Sequence, residues 1–178
     1  MRTEQDKYIS MRDYSRVDAE IPFDIRLINS EESRTVRSKI ATDTNITYWT
    51  PPREHDDKVL ADWLMMINNK LDSILMLLTF HKEGFSTLPY KKVNISGGGM
   101  SFYWNCNFPL KSVLELKMLL PIFPPVAMYV YGEVVLSESK EGGWFTAVKF
   151  INIEEDIRDE IVKFVFKKQR ELLREKRK

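Results

Sequence analysis

Two arginines near the beginning of the chain could bind a small anion. Arg12 and Arg16 stand four residues apart in a polar stretch. In a helix this spacing places both guanidinium groups on one side, and in a turn it lets them converge on one anion. The pair therefore predicts an anion site, although a second arginine pair, Arg34 and Arg37, shows that such spacing is weak evidence by itself.

A second pattern joins small polar side chains to three consecutive glycines. Asn94 and Ser96 precede Gly97, Gly98 and Gly99, and on a strand residues two apart share one face. Glycine reaches positive φ without steric cost and lets a partner approach the main chain closely. The residues alone leave two interpretations open: a tight turn capped by Asn and Ser, or a corner that faces a ligand.

The remaining reactive residues do not form a catalytic or metal-binding set. Cys106 is the only cysteine, and the two histidines, His55 and His81, are too far apart for a zinc signature. The chain has neither a nucleophile elbow nor a phosphate-binding Gly/Lys loop. We therefore expect a binding protein rather than an enzyme, with no catalytic residue, no metal and no cofactor.

Composition and charge narrow the class of protein further. The 178 residues are 43% hydrophobic and 30% charged, which is typical of one folded domain or of a small domain with an insertion. The sequence shows no apolar run long enough for a membrane span and no signal peptide, so we expect a cytoplasmic protein. The formal charge of +1 hides a basic tail, which is better explained as a helix end favoured by the dipole than as a site for nucleic acid.

A long helix is expected in the first half of the chain. It follows Pro51-Pro52 and stops near Gly84. Its apolar residues follow the four, three alternation of coiled-coil a and d positions. The stripe would pack on the helix's own domain or mediate self-association, and its width, which includes Trp63, Met66 and Leu75, favours a homo-oligomer. The stripe consists of Leu60, Leu64, Ile67, Leu71, Ile74 and Leu78.

Short strands separated by turns are expected on both sides of this helix, which favours a small antiparallel β-barrel with edges removed by closure. A final amphipathic helix should follow. The expected fold class is therefore mainly β with helices: a barrel, an inserted coiled-coil-type helix and a C-terminal helix. The predicted strands are 21–28, 35–40, 90–96, 100–104, 112–119, 126–137 and 144–153, and the last helix is 154–175.

These elements divide the chain into five segments. Residues 1–20 form an N-terminal arm that carries both arginines, and 21–40 contain the first strands. Residues 41–86 form an inserted helical oligomerisation segment, 87–153 complete the barrel, and 154–178 form the C-terminal helix and basic tail.

Taken together, Arg12-x-x-x-Arg16 ahead of a strand and Asn94-x-Ser96-x-x-Gly99 at a strand end resemble the two signature motifs of the PilZ domain, a bacterial receptor for cyclic di-GMP. The resemblance covers about residues 8–28 and 88–175. It leaves the heptad helix as an insertion similar to that of atypical, oligomeric relatives. Asn94 stands where the family often has Asp, which removes a charge but keeps an acceptor.

The resemblance implies a function and assigns roles to the site residues. Arg12 and Arg16 would bind the phosphates or guanines of cyclic di-GMP, Asn94 and Ser96 would hydrogen-bond it, and Gly97 to Gly99 would leave room for its ring. The protein would be a non-enzymatic signalling receptor whose arm becomes ordered on binding, with an unknown downstream protein as partner. The alternative is a PilZ-like scaffold that does not bind nucleotide and acts as an oligomeric interaction module.

Overall fold

The computed structural model describes residues 14–29, 35–41 and 58–175. Seven strands and two helices lie in these ranges. In chain order they are β1 (Arg16–Ile28), β2 (Lys39–Ile40), α1 (Lys58–Lys82), β3 (Tyr90–Ser96), β4 (Gly99–Trp104), β5 (Val113–Leu120), β6 (Val126–Lys140), β7 (Gly143–Ile151) and α2 (Glu155–Glu175).

Six of the strands close into an antiparallel barrel in the order β6-β5-β1-β3-β4-β7, and β7 pairs back with β6. The short β2 adds to the outside of this ring by pairing with β6. Closure leaves the six main strands without a free edge. The predicted fold class, a small barrel with an inserted helix and a C-terminal helix, is confirmed.

Period-two alternation places one face of every barrel strand in the core. On β3, Val93 and Ile95 are buried while Asn94 points outward, as expected for a half-buried strand. The core cluster contains side chains from all six barrel strands and from α2. The barrel therefore presents the polar face of β3 on its outer surface.

The first two strands differ from the sequence prediction. β1 begins at Arg16, five residues before the predicted start at Ile21, because Val17 and Ala19 continue the inward alternation and pair with β3. Arg16 therefore belongs to the barrel rather than to an arm. The strand predicted for 35–40 is reduced to Lys39 and Ile40. The residues just before them form isolated hydrogen bonds instead of a ladder; for example, Ser38 N donates to Asn152 O at 3.4 Å.

The C-terminal helix covers the barrel as its amphipathic pattern predicts. Four of the predicted apolar residues, Ile157, Ile161, Phe164 and Val165, are buried in the barrel core. Leu172, predicted for the same face, is 40% exposed. The packed part of α2 therefore ends before its last two turns.

Within the described ranges, α1 contacts the barrel through its C-terminal end. The helix stops at Lys82, and Gly84 follows in the left-handed region with φ of 69°, which is the conformation that glycine provides at helix ends. Phe80 is the one buried residue of α1 among those described. It packs in a small cluster with Ala41, Phe85 and Ala127, against which Met76 is partly buried. Lys117 Nζ also donates to the carbonyl of Glu83 just beyond the helix.

A charged network on the outside of the barrel joins β1, β5 and β6. Arg26 donates from Nε and Nη2 to the carboxylate of Glu115 at 3.0 and 3.2 Å, and the Tyr131 hydroxyl donates to the same carboxylate at 2.7 Å. Burial would raise the pKa of Glu115, but the hydrogen bonds from Arg26 and Tyr131 outweigh it and hold that pKa below the usual value. Burial, together with the bond to Glu115, raises the pKa of Tyr131 to about 12.

This network predicts a pH-dependent part of the stability. Because the folded pKa of Glu115 is lowered, its contribution is fully present above the ordinary value of 4.5 and is lost as the pH falls through the lowered pKa. We expect Glu115→Gln to reduce the free energy of unfolding by about 1–2 kcal/mol at pH 7 and to reduce the difference between pH 7 and pH 3, both measured by urea denaturation. The control Glu160→Gln breaks a surface pair with Lys163 and should cost less, because solvent screens exposed charges; an equal cost for both variants would contradict the prediction.

Candidate functional site

The pairing of β1 with β3 brings the first predicted site residue to the others. Arg16 lies opposite Ser96, and Asp18 lies opposite Asn94. Arg16 Nη1 donates to Asn94 Oδ1 at 3.5 Å, so residues 78 positions apart in sequence share one surface. Arg12 lies outside the described residues.

Asn94 forms the centre of a polar chain across this surface. Its amide nitrogen donates to Asp18 Oδ1 at 2.8 Å, while its amide oxygen accepts from Arg16. An amide can serve both neighbours because it carries a donor and an acceptor. A carboxylate at position 94 would instead face the carboxylate of Asp18 across the strand pair, and like charges in that position repel. The amide of Asn94 is therefore matched to Asp18.

This match can be tested by exchanging the two residues. We expect Asn94→Asp to lower the free energy of unfolding by about 0.5–1 kcal/mol at pH 7, because it puts two carboxylates opposite each other. The double variant Asp18→Asn with Asn94→Asp restores a carboxylate beside an amide, so it should recover most of the loss. Urea denaturation of the wild type, of Asn94→Asp, of Asp18→Asn and of the double variant gives the coupling energy; additive effects of the two substitutions would refute the match.

Ser96 and the three glycines form a tight turn between β3 and β4. Ser96 pairs with Gly99 across the hairpin. The Ser96 hydroxyl donates to Gly99 O at 3.2 Å and accepts from Gly98 N at 3.3 Å. The side chain is buried, with only 2% of the residue exposed. In this structure Ser96 therefore caps its own turn, as in the first of the two interpretations, and does not present its hydroxyl to solvent.

The glycines are required by close packing rather than by their dihedral angles. None of the three has φ in the left-handed region. A Cβ at Gly99 would collide with the carbonyl oxygen of Val148 on β7, so this glycine lets β4 and β7 approach. A Cβ at Gly97 would lie 2.8 Å from Val162 Cγ2 of α2. The space that the sequence assigned to a ligand is therefore largely occupied by the protein's own atoms.

Tyr14 is the occupant on the outer side of the turn, and the sequence analysis did not identify it. Its ring lies 2.9 Å from the Cβ position of Gly97 and 3.2 Å from that of Gly98. Arg158 of α2 donates from Nη1 to the Tyr14 hydroxyl at 3.0 Å, and its guanidinium carbon is 5.4 Å from the ring centroid. Tyr14 stands out in the sequence as the single aromatic residue between Arg12 and Arg16. Its contact with α2 depends on tertiary packing, which the sequence pattern does not specify.

The helix α2 also fixes the beginning of β1. Gln169 Nε2 donates to the carbonyl of Arg16 at 3.0 Å. Arg158, Val162 and Gln169 thus lie along the side of α2 that borders the turn and β1. Lys149 of β7, which is exposed, pairs with Gly99 on the other side. The surface therefore combines three cationic side chains with amide and backbone groups, which suits an anion that can also accept or donate hydrogen bonds.

A second concave surface lies at the opposite end of β3. Lys91 stands at the start of this strand and Ser96 at its end, so about 17 Å separates them. Lys91 Nζ is 3.3 Å from the centroid of the Trp104 ring, and burial lowers the pKa of Lys91 despite the opposing effect of Asp24. Because this cation already lies on an indole, we do not assign the ligand here. The surface is lined by Lys91, Tyr103, Trp104, Asn105 and Gly142.

No cluster of three or more potential metal ligands occurs within residues 14–29, 35–41 and 58–175. None of the helices in those ranges is long and apolar enough to cross a membrane.

Comparison with known proteins identifies a family and structures of similar fold. The family model of the PilZ domain matches residues 77–167, which is 91 of the 178 residues and includes Asn94 to Gly99. A pathogenic protein from Xanthomonas campestris, whose crystal structure reveals a new tetrameric PilZ domain self-assembled via an unusual helical bundle, is similar in fold with a TM-score of 0.59. It is 15% identical, and the match covers 90% of this chain and 91% of that chain. No curated protein matches the sequence.

Proposed function

Because this chain belongs to the PilZ domain family, we propose that it is a receptor for cyclic di-GMP with no catalytic role. The ligand would bind on the surface formed by Arg16, Asn94 and the turn of Gly97 to Gly99, with Arg12 added from the preceding arm. The observation that carries the proposal is the register of β1 against β3, which places the Arg16 guanidinium 3.5 Å from Asn94 Oδ1 beside the turn.

The chemistry of this surface suits a cyclic dinucleotide. A guanidinium group can fork onto phosphate oxygens or onto the O6 and N7 atoms of guanine. The contact between Arg16 and Asn94 is at the long limit of hydrogen bonding, so replacing it with a charge-assisted bond to the ligand costs little. Asn94 can then offer its amide oxygen to a guanine N–H while its nitrogen stays on Asp18.

Ser96 and Gly99 would support the shape of the ligand surface. Ser96 holds the shape of the turn through its two internal hydrogen bonds, and Gly99 permits the close approach of β4 and β7. The ligand would contact the outer side of Gly97 and Gly98 and the exposed part of Asn94. The response to binding would be a changed surface at the beginning of β1, where the residues before Arg16 rearrange around the ligand and a partner protein can recognise them.

Calorimetric titration of the full chain with cyclic di-GMP tests this function. We expect saturable binding by cyclic di-GMP and at least tenfold weaker binding by its linear, ring-opened form, since only the ring holds both guanines close together. Absence of binding by cyclic di-GMP would favour the alternative, a scaffold that acts through α1 alone.

We also propose that the protein self-associates through α1. The heptad residues are 41–60% exposed, whereas the contact with the barrel uses Phe80 and Met76 on another side of the helix. Leucine occupies the a positions 64, 71 and 78, and isoleucine occupies the d positions 67 and 74. This arrangement favours trimers and tetramers over dimers in parallel coiled coils. Together with the tetrameric assembly of the Xanthomonas campestris protein, it supports a tetramer.

A further inference from the structure

The Tyr14 ring packs against the main chain of Gly97 and Gly98. Ring atoms lie 2.9 and 3.2 Å from the two positions that Cβ atoms would take, so only bare backbone leaves room for the ring. Tyr14 precedes β1 and is not itself part of a strand. Its position is therefore set by side-chain contacts rather than by the sheet.

Arg158 supplies the main polar contact of this ring. It donates to the Tyr14 hydroxyl at 3.0 Å, and its guanidinium carbon lies 5.4 Å from the ring centroid, within the range of a cation–π interaction. Arg158 is the fourth residue of α2, and a cation in the first turn of a helix is disfavoured by the helix dipole. Helix stability therefore does not account for an arginine at this position, whereas its contact with Tyr14 does.

We propose that Tyr14 and Arg158 form a latch that covers the ligand surface in the ligand-free protein and must open before cyclic di-GMP binds. The inference rests on the proposed function, and it adds two residues that neither motif contains. Tyr14 lies two residues before Arg16 and two after Arg12. While its ring lies on Gly97 and Gly98, a ligand cannot contact the outer side of these two glycines. The ligand therefore competes with the ring, and the latch sets the concentration at which the receptor responds.

Calorimetric titration of latch variants with cyclic di-GMP shows whether the latch opposes binding. Arg158→Ala removes one hydrogen bond and one cation–π contact from the closed state, so we expect binding to become about tenfold tighter. Tyr14→Ala removes the ring and should tighten binding to a similar degree, whereas Tyr14→Phe keeps the ring and should have a smaller effect. Tyr90→Ala is the matched control, because this tyrosine is exposed at the opposite end of β3; its affinity should equal that of the wild type.

Hydrogen–deuterium exchange of the ligand-free proteins provides a second measurement. Opening of the latch should speed exchange at Gly97 to Gly99 in Arg158→Ala relative to wild type, and unchanged exchange would overturn the latch whatever the ligand does. Weaker or unchanged binding in both Tyr14→Ala and Arg158→Ala, beside binding by wild type, would overturn the latch and leave the proposed function standing. Absence of binding in wild type and in all variants would instead overturn the proposed function, and with it the inhibitory role of the latch.

Discussion

Replacing Arg16 with alanine is expected to weaken the binding of cyclic di-GMP by about 10- to 100-fold. The guanidinium group is held at the turn by the β1–β3 register, and each charge-assisted hydrogen bond that it would make to a phosphate or guanine is expected to contribute about 1.5–3 kcal/mol. Arg16→Lys keeps the charge but loses the planar guanidinium group, so its affinity should lie between those of the alanine variant and the wild type. Isothermal titration calorimetry measures all three.

Two controls separate ligand contact from general charge and from folding. Lys140→Ala removes the same unit of charge near the β6–β7 turn, where Lys140 pairs with Gly143 at the other end of β7 from Lys149. Its affinity should change by less than about twofold, since exposed charges at this distance are largely screened. Circular dichroism and thermal unfolding of Arg16→Ala should match those of wild type. Affinity within twofold of wild type in a folded Arg16→Ala would remove Arg16 from the site.

Substitution at Gly99 would be a poor test of ligand contact, although this residue completes the motif. A Cβ there would collide with the Val148 carbonyl of the neighbouring strand. Loss of binding in Gly99→Ala would therefore reflect a distorted barrel. Arg16 and Asn94 are better choices because their side chains lie on the outer surface.

The barrel could be predicted from the sequence because most of its strands carry a local signal. Tyr90 to Ser96 alternates between core and surface, and the strand has these same bounds in the structure. β1 starts earlier than predicted: Val17 and Ala19 alternate with Asp18 and Glu20 ahead of Ile21, but the run is short, contains a small alanine and follows a polar stretch. The shortness of β2 was missed because pairing with β6, rather than composition, determines where it begins.

The site was only partly predictable, because its geometry depends on contacts between distant segments. The proximity of Arg16 to Asn94 follows from the β1–β3 register, which periodicity does not specify. The run of glycines was recognised, but its physical cause is the approach of Tyr14, Val162 and Val148 and not positive φ. No sequence pattern around Arg158 indicates its contact with Tyr14, because that contact depends on how α2 lies across the β3–β4 turn.

The largest effect on assembly is expected from a charge in the heptad stripe of α1. Leu71 occupies a central a position and is 52% exposed in the single chain. In a four-stranded bundle, Leu71→Lys would bring four ammonium groups into an apolar core, where burial of a charge is strongly unfavourable. We expect sedimentation equilibrium to show a fall from about 84 kDa, for four chains, to the 21.0 kDa of one chain.

Asn69→Lys is the matched control for this change. It adds the same charge two residues earlier, at an exposed f position on the opposite side of the helix from the a and d residues, and should leave the mass unchanged. A second variant tests the order of the assembly: exchanging leucine and isoleucine between positions 64 and 71 and positions 67 and 74 puts Ile at two of the three a positions and Leu at every d position, which favours dimers. Unchanged mass in Leu71→Lys would show that α1 does not mediate self-association.

Assembly and ligand binding should be separable, because α1 and the ligand surface meet the barrel at opposite ends of β3. Leu88, just before this strand, packs in the cluster that holds Phe80 of α1, whereas Ser96 at the strand's end borders the ligand turn. The strand itself, Tyr90–Ser96, is about 20 Å long. We therefore expect Leu71→Lys to bind cyclic di-GMP with wild-type affinity as a single chain, and Arg16→Ala to keep the mass of the wild-type assembly. A loss of affinity that accompanies dissociation would show that neighbouring subunits complete or hold the ligand surface.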